Sequence, residues 1–285
     1  MKPASFQYHR PKTVDEAVAL LAKLAPEDGR VLAGGQSLVP TMAFRLARPA
    51  HLVDINGVAG LDRLAVDSDT LSIGACVRHA AFHRPVTDGP LGRLLAEVVH
   101  HIAHYPIRMR GTFCGSLAHA DPASEWCLVA ATLDATLTAK SARGVRSIAA
   151  EDFLAGVMTT TLEPDELLIE ARLPVLPADT RFAFQEFNRR AGDFALAMTL
   201  VTYQVDRGRV TNAHIGVGGA EDRPRRIAAA EQALNDRAPD AAAFAAAADA
   251  AAAAMDPMED INTSAEYRRD LVRTLVRRAL EQAAP

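Results

Sequence analysis

Two glycine-containing segments carry residue types that suit the binding of a dinucleotide pyrophosphate. The first is Gly34-Gly35-Gln36-Ser37, and the second runs from Gly111 to Ser116. A pyrophosphate requires backbone amides that converge on anionic oxygens. Glycine favours this arrangement because it has no Cβ and reaches positive φ values. Side chains within both segments add neutral hydroxyl and amide donors, which suit a site where helix dipoles already supply positive potential.

Each segment alone is a weak indication, because a glycine pair is also typical of a tight turn between a strand and a helix. Neither segment contains the G-x-G-x-x-G pattern of a Rossmann site. The run Gly216-Val217-Gly218-Gly219 comes closer to that pattern, but Glu221 occupies the position of its final glycine. We therefore interpret that run as a turn after a strand and assign it no nucleotide.

The elements around the first segment predict a compact βαβ unit. Thr13 to Glu16 has the form of a capping box and predicts a helix start. Arg30 to Ala33 is a short apolar strand, and Ser37 is the predicted N-cap of a short helix. A strand from His51 to Ile55 follows that helix, whose predicted apolar face consists of Leu38, Met42 and Leu46.

The second segment lies between two predicted helices. Apolar residues at helical spacing from Leu91 to Ile102 indicate an amphipathic helix. Asp121-Pro122 has the form of an N-cap followed by proline, which predicts another helix start. A hairpin around Ala142-Arg143-Gly144 and a strand from Leu167 to Leu173 follow.

The remainder of the chain predicts an antiparallel sheet followed by helices, which is an α+β pattern. Strand-like stretches cover residues 181–188, 195–204 and 209–217. Residues 228–255 are rich in alanine, which has a high helix propensity. The final helix, residues 267–279, is expected to carry its arginines on solvated sides, namely Arg268, Arg269, Arg273, Arg277 and Arg278.

Composition excludes several classes of protein. The chain has 285 residues, a formal net charge of -4, 49% hydrophobic residues and 23% charged residues. This balance argues against a general binder of nucleic acid or of anionic membranes. No apolar run approaches the ~20 residues of a membrane-spanning helix, and no secretory signal is recognisable. We therefore expect a cytoplasmic protein.

The cysteines and histidines predict no metal centre. Cys76, Cys114 and Cys127 are scattered, which excludes a disulfide scaffold. An iron–sulfur cluster takes about four cysteine ligands, so this chain alone cannot build one. His100 and His104 have the spacing of a zinc pair, but no third ligand is recognisable, and a polar helix end is the preferred interpretation. We also assign no general acid, base or nucleophile.

Several segments in combination resemble one family. The run from Ala33 to Met42 resembles the first FAD loop of the medium subunits of molybdenum hydroxylases, the xanthine dehydrogenase and aerobic carbon monoxide dehydrogenase family. The run from Arg108 to Glu125 resembles the second loop. Residues 189–195 and 264–269 fit the same family, so the resemblance spans nearly the whole chain in order.

The resemblance implies an α+β fold that begins with an FAD-binding domain of the vanillyl-alcohol-oxidase (PCMH) type. That domain would cover residues 1–176 as two lobes, 1–57 and 58–176, and a small α+β domain would cover residues 177–285. FAD would be bound non-covalently by both loops, by an acidic contact to its ribose and by an apolar contact to its flavin. The turn of residues 189–195 would lie beside the flavin. By resemblance, these residues are Ala33, Gly34, Gly35, Gln36, Ser37, Leu38, Thr112, Phe113, Cys114, Gly115, Ser116, Ala120, Glu125, Leu168, Ile169 and Asp193.

Three positions depart from the family pattern. Cys114 stands where the second loop usually has a glycine, and its Cβ is expected to narrow the approach to the phosphate. Glu186 lies near where relatives often have a lysine that faces the flavin, which would change the electrostatics there. Gln36 occupies the place of the histidine that carries a covalent flavin in wider relatives, so a covalent link through it is not expected.

The resemblance implies a flavoprotein subunit that transfers electrons. Substrate would be oxidised at a molybdopterin cofactor on a large partner subunit, and electrons would reach FAD through two-iron, two-sulfur clusters on a small partner. A quinone, NAD or dioxygen would then accept them, and the complex would be a dimer of heterotrimers. Two alternatives stay open: a stand-alone FAD oxidase or reductase of the same superfamily, and a cofactor-free assembly subunit, which Cys114 motivates.

Overall fold

The computed structural model of the protein describes residues 2–261 and 263–284. Its strands form parallel and antiparallel sheets, and its helices lie between and after them along the chain. The predicted α+β class is therefore confirmed. Within these residues, no helix combines the length and the apolar character needed to cross a membrane.

The first part of the chain forms a parallel sheet. Its elements are β1 (Gln7–His9), α1 (Val14–Leu24), β2 (Gly29–Leu32), α2 (Leu38–Ala43) and β3 (His51–Asp54). Both β1 and β2 pair with β3 in parallel, so the predicted βαβ unit around the first glycine segment is confirmed. Oγ1 of Thr13 accepts a hydrogen bond of 3.1 Å from the amide of Glu16, which is the predicted cap of α1.

Two details of α2 differ from the prediction. The helix is shorter than expected because Arg45, just after its end, adopts a left-handed backbone conformation (φ 58°). Met42 is buried, whereas Leu46 lies beyond the helix and is 81% exposed. Ser37 precedes the helix as predicted, but its side chain makes no capping hydrogen bond. Apolar spacing alone did not reveal where the helix ends.

The middle of the chain forms an antiparallel sheet and the helices that pack on it. Its elements are β4 (Leu64–Asp67), β5 (Thr70–Gly74), α3 (Gly89–Val98), α4 (Tyr105–Arg108), α5 (Phe113–His119), α6 (Glu125–Thr132), β6 (Thr136–Ser141), β7 (Gly144–Ala149), α7 (Ala150–Phe153), β8 (Leu154–Gly156), β9 (Thr159–Thr160) and β10 (Leu167–Pro174). The sheet has the order β4-β5-β10-β6-β7, and the predicted hairpin β6–β7 is confirmed.

The histidines after α3 do not share a helix face. The helix ends at Val98, His100 follows it in a turn, and His104 is the N-cap of α4, directly after Ala103 with its positive φ of 40°. The imidazole of His100 stacks on that of His83 with the ring centroids 5.5 Å apart. Among the described residues, no group of three or more histidine, cysteine or acidic side chains is arranged to hold a metal ion.

Two helix starts near the second glycine segment also differ from the prediction. Most of that segment belongs to α5, whose N-cap is Thr112. The later helix α6 begins at Glu125 with Ser124 as its N-cap. Asp121, the predicted cap, instead accepts a hydrogen bond of 2.9 Å from the amide of Ala123, so it stabilises the turn that precedes α6.

The last part of the chain forms an antiparallel sheet covered by helices. Its elements are β11 (Arg181–Phe187), β12 (Ala197–Asp206), β13 (Arg209–Gly218), β14 (Arg225–Arg226), α8 (Ala228–Leu234), α9 (Ala241–Ala253) and α10 (Ala265–Ala283). The strands follow the order β11-β12-β13-β14. A hydrophobic core that includes Tyr203, Phe244 and Val276 joins the sheet to α9 and α10.

Arg268 on α10 corrects the expectation that the arginines of this helix are solvated. The residue is only 5% exposed. Its Nη1 donates to the carbonyls of Leu196 and Gly219 at 2.7 and 2.6 Å. Its Nη2 forms an ion pair of 2.6 Å with Asp260. The guanidinium therefore holds α10 against the start of β12 and the end of β13, whereas Arg277 and Arg278 are exposed.

Candidate functional site

A cavity of about 610 Å³ lies between the two glycine segments. We call it the loop cavity. Residues 33–38 form part of its wall, and Gly111, Thr112, Gly115 and Ser116 face them. The volume falls in the usual range for small-molecule sites, about 300–1,000 Å³. Two segments that are far apart in the sequence therefore border one space, as their combined pattern predicted.

The two segments approach each other so closely that only glycine fits. A Cβ on Gly34 would lie 2.5 Å from the carbonyl oxygen of Arg110 and 2.6 Å from Cα of Gly111. A Cβ on Gly111 would lie 2.4 Å from Nε2 of His79. Gly35 has a φ of 72°, a conformation that side chains disfavour. The glycines therefore allow backbone amides of both segments to line the cavity.

Asn56 and Arg78 connect the two segments from outside the loop cavity. Nη2 of Arg78 donates to Oδ1 of Asn56 at 2.5 Å, and its Nη1 donates to the carbonyl of Arg110. Nδ2 of Asn56 donates to the carbonyl of Ala33 at 2.7 Å. Oδ1 of Asp54 accepts from the amide of Asn56 at 2.9 Å and fixes its position. No sequence pattern indicated these contacts.

Another cavity, of about 890 Å³, adjoins the first and is called the turn cavity here. It lies between residues 121–123, residues 157–158 and the turn of residues 189–196. Met158 lines both cavities. Asp193, which the resemblance implies as a cofactor contact, lines the turn cavity, and Phe194 beside it is 72% exposed.

The predicted cofactor residues separate into two groups. Those that line a cavity are Ala33, Gly34, Gly35, Gln36, Ser37, Leu38, Thr112, Gly115, Ser116 and Asp193. Those outside both linings are Phe113, Cys114, Ala120, Glu125, Leu168 and Ile169. The ring of Phe113, for example, packs on that of Trp126 with the centroids 4.9 Å apart. A cofactor contact by the second group stays a prediction.

The side chain of Cys114 points into the core instead of the loop cavity. The residue is 2% exposed, and its thiol donates to the carbonyl of Ile73 at 3.5 Å. Burial raises the pKa of this thiol, so it stays protonated. The expectation that its Cβ narrows the approach to the phosphate is therefore wrong: within α5 this position faces the sheet, and Gly115 faces the cavity.

Glu125, at the start of α6, and Glu186, on β11, are half-buried residues whose carboxyls form an acidic cluster. Burial, followed by the nearby carboxyls of Glu186 and Asp121, raises the pKa of Glu125 to about 8. Burial raises the pKa of Glu186 to about 7. Oε1 of Glu186 accepts from Nδ2 of Asn188 at 2.8 Å, and its Oε2 lies 3.7 Å from Nδ1 of His101. Burial therefore favours the protonated form of both carboxyls.

His79 is a cavity residue that the sequence did not indicate. It lines the loop cavity, and its Nδ1 accepts a hydrogen bond of 2.9 Å from the indole Nε1 of Trp126. The sequence did not indicate this contact because His79 and Trp126 lie far apart in the chain, and a single histidine forms no recognisable motif. Gly111, which adjoins His79, was part of the predicted segment.

Comparison with known proteins identifies the family. The family described as "FAD binding domain in molybdopterin dehydrogenase" matches residues 4–176, which is more than half of the chain. The chain belongs to this family. A second family, "CO dehydrogenase flavoprotein C-terminal domain", matches residues 182–283. The protein is therefore an FAD-binding medium subunit of the molybdopterin dehydrogenase type, an oxidoreductase component, as the resemblance implied.

Relatives of this medium subunit match it over nearly its full length. It is 41% identical to the 6-hydroxypseudooxynicotine dehydrogenase complex subunit alpha of Paenarthrobacter nicotinovorans, over 99% of this chain and 96% of the relative. It is 36% identical to the carbon monoxide dehydrogenase medium chain of Afipia carboxidovorans, over 99% of this chain and 98% of that relative.

Solved structures agree with this fold. A carbon monoxide dehydrogenase from Hydrogenophaga pseudoflava matches with a TM-score of 0.95 and 37% identity, over 99% of this chain and 98% of that one. Quinoline 2-oxidoreductase from Pseudomonas putida 86 matches with a TM-score of 0.94 and 37% identity, also over 99% and 98%.

The loop cavity of this medium subunit has the chemistry that the phosphates of FAD require. Its glycines leave backbone amides accessible, and a Cβ at Gly34 or Gly111 would collide with the opposite wall. Gln36 stabilises the first segment itself, because its Nε2 donates to the carbonyl of Gly34 at 3.1 Å. An amide side chain at this position offers no attachment for a covalent flavin, which agrees with non-covalent binding.

Proposed function

We propose that this chain carries electrons from iron–sulfur clusters of a partner subunit, through FAD held in the loop cavity, to an external acceptor. The observation that carries the proposal is the convergence of both glycine segments on one cavity, with Gly34 against Gly111. Bound FAD supplies a redox centre that can take up two electrons. The chain contributes binding and orientation: amides of residues 33–38 and 111–116 would hold the phosphates.

The partners are proposed from the family and from the relatives' names. One relative is named as a subunit of a 6-hydroxypseudooxynicotine dehydrogenase complex and another as the medium chain of carbon monoxide dehydrogenase. The substrates in these two names are chemically different, although both relatives match this chain over nearly its full length. We therefore propose that substrate is oxidised at a molybdopterin cofactor on a large partner, and that two-iron, two-sulfur clusters lie on a small partner. A dimer of heterotrimers is the proposed assembly.

The turn cavity is the proposed approach of the electron acceptor. It shares Met158 with the loop cavity, and its wall includes the turn that the resemblance puts beside the flavin. A quinone, NAD or dioxygen would reach the flavin ring from this side. Glu125, Leu168 and Ile169 would contact the cofactor only if it extends beyond the loop cavity, and these contacts are part of the proposal. A cytoplasmic location agrees with the three cysteines, all described and all free thiols.

Anaerobic mixing of the FAD-loaded chain with the dithionite-reduced small partner tests the electron route. The proposal predicts that the flavin absorbance near its visible maximum is lost as the clusters are reoxidised, without any organic substrate. Flavin that stays oxidised in the presence of the reduced partner would contradict it. If the isolated chain instead reduced its flavin with an organic substrate and no partner, the stand-alone oxidase would be the correct function.

A further inference from the structure

His79 is a buried residue whose imidazole edge meets the loop cavity. It is 4% exposed and belongs to the cavity wall. A Cβ on Gly111 would lie 2.4 Å from its Nε2 and 2.6 Å from its Cδ2. The Nε2 edge therefore packs against the glycine that opens the second segment. The same glycine lies opposite Gly34, so Nε2 is near the place where the two segments meet.

The hydrogen bond with Trp126 determines which nitrogen of His79 carries the proton. An indole N–H can only donate, so Nδ1 of His79 must be the acceptor in the bond of 2.9 Å. A neutral imidazole has one proton, which then resides on Nε2. Within residues 2–261 and 263–284, Nε2 has no hydrogen-bond acceptor. The ring thus presents an N–H donor beside the cavity and without a partner in the protein.

The surroundings keep this imidazole uncharged. Burial, with smaller contributions from the guanidiniums of Arg78 and Arg108, lowers the pKa of His79 to about 3. The aromatic rings of Phe82 and Phe113 pack around Trp126 behind it, with centroids 5.2 and 4.9 Å from the indole. The donor is therefore fixed in one tautomer and one orientation by packed neighbours. Because His79 lines the loop cavity, its Nε2–H donor is available to an acceptor that a bound ligand supplies.

We propose that His79 is a further FAD-binding residue, whose Nε2–H donates a hydrogen bond to a phosphate oxygen of the cofactor. The inference depends on the proposed location of FAD in the loop cavity. A phosphate oxygen is the acceptor that fits, because the glycine segments on either side of Nε2 present amide donors to the same region. Trp126 acts as a positioning residue, because it fixes the tautomer of His79.

Two amide substitutions separate the two functions of the ring. In His79→Asn, the side-chain oxygen replaces Nδ1 as the acceptor for Trp126, but the donor at the Nε2 position is lost. In His79→Gln, the longer amide can return a donor to the Nε2 position, but the acceptor for Trp126 is lost. A cofactor contact is therefore damaged more by asparagine. A purely structural partner of Trp126 is damaged more by glutamine.

The measurement is the dissociation constant of FAD for the deflavinated full chain, with riboflavin as a probe that lacks phosphate. We expect His79→Asn to weaken FAD binding about tenfold or more, equal to about 1.4 kcal/mol, and to leave riboflavin binding unchanged. His79→Gln should retain more of the FAD affinity. Thermal unfolding of the deflavinated variants reports on folding separately, and there glutamine should lower the midpoint more than asparagine.

The outcomes that overturn the inference are distinct from those that overturn the location of FAD. FAD affinity of His79→Asn equal to that of the wild type, or lower affinity for His79→Gln than for His79→Asn, would reject the contact by His79. An equal loss of riboflavin affinity would also reject it, because riboflavin has no phosphate. If Gly34→Ala left FAD affinity intact, the location in the loop cavity would itself be wrong.

Discussion

Nη2 of Arg78 donates to Oδ1 of Asn56 at 2.5 Å, and this pair joins the two glycine segments. Asn56 reaches the carbonyl of Ala33 in the first segment at 2.7 Å, and Arg78 donates to the carbonyl of Arg110 beside the second. Neither side chain lines the loop cavity. Both are therefore positioning residues, which hold the backbone amides of the two segments in register for one ligand.

Breaking this connection should weaken FAD binding without removing any direct contact. We expect Asn56→Ala and Arg78→Lys each to cost about 0.5–1.5 kcal/mol of FAD binding free energy, because each removes hydrogen bonds that hold a segment. The two effects should be less than additive, since both substitutions break the same connection. Titration of FAD into the deflavinated full chain checks this, with Arg277→Lys on the exposed side of α10 as the control. Additive losses would contradict a shared connection.

A methyl group on the first segment should separate the segments. Gly34→Ala puts a Cβ 2.5 Å from the carbonyl oxygen of Arg110, and backbone cannot move aside cheaply. We expect FAD content close to zero and an unfolding free energy lower by about 1–3 kcal/mol. Gly57→Ala is the matched control, because its nearest neighbour is the flexible end of Arg10 at 3.3 Å. FAD content is measured by flavin absorbance, and normal content in Gly34→Ala would contradict the location of FAD between the two segments.

Cys114 should affect stability and leave cofactor affinity unchanged. Its side chain fills space beneath α5 and faces the carbonyl of Ile73, away from the loop cavity. Cys114→Gly should therefore bind FAD with the wild-type dissociation constant and lose about 1–3 kcal/mol of unfolding free energy, through lost packing and a glycine within a helix. Tighter FAD binding in this variant would mean that the cysteine does restrict the cofactor.

The acidic cluster should make the protein less stable as the pH rises. The pKa values of Glu125 and Glu186 are raised from 4.5 to about 8 and about 7, so the folded state binds these protons more tightly than the unfolded state. This contribution is fully present below pH 4.5 and is lost as the pH rises towards 8. Glu186→Gln should flatten the fall of the unfolding midpoint between pH 5 and pH 8, because its amide stays neutral.

Thermal unfolding across this pH range measures the effect, and Glu151→Gln, at an exposed position of α7, is the control. If the unfolding midpoint of the wild type instead rose from pH 5 to pH 8, and Glu186→Gln abolished that rise, the sign of the linkage would be the opposite of the one expected. The folded state would then favour the charged form of Glu186.

Local features of the fold could be predicted from the sequence because their causes are local. The cap of α1 needs only Thr13 and Glu16, which are three positions apart, and the hairpin β6–β7 needs only a turn around Arg143. The glycine segments were recognisable for the same reason, because glycine is the residue type that has no side chain and therefore marks positions of close backbone approach. Their meeting at one cavity depended on the resemblance of the whole chain.

Other features could not be predicted because they depend on contacts between distant residues. His79 becomes a directed donor only through Trp126 on another helix, and nothing near either residue marks the pair. Arg268 has the same residue type as the exposed Arg277 on α10, and its burial depends on contacts with the distant carbonyls of Leu196 and Gly219 and with Asp260. Cys114 aligned with a glycine of the family, but the direction of its side chain required the orientation of α5 against the sheet.

The proposed electron route requires that FAD binds between the two glycine segments. Hydrogen–deuterium exchange of the full chain, with and without saturating FAD, measures this location. We expect FAD to slow amide exchange within residues 33–38 and 111–116 and to leave exchange in the glycine run at 216–219 unchanged. Slower exchange at 216–219, or no change in either segment, would contradict it.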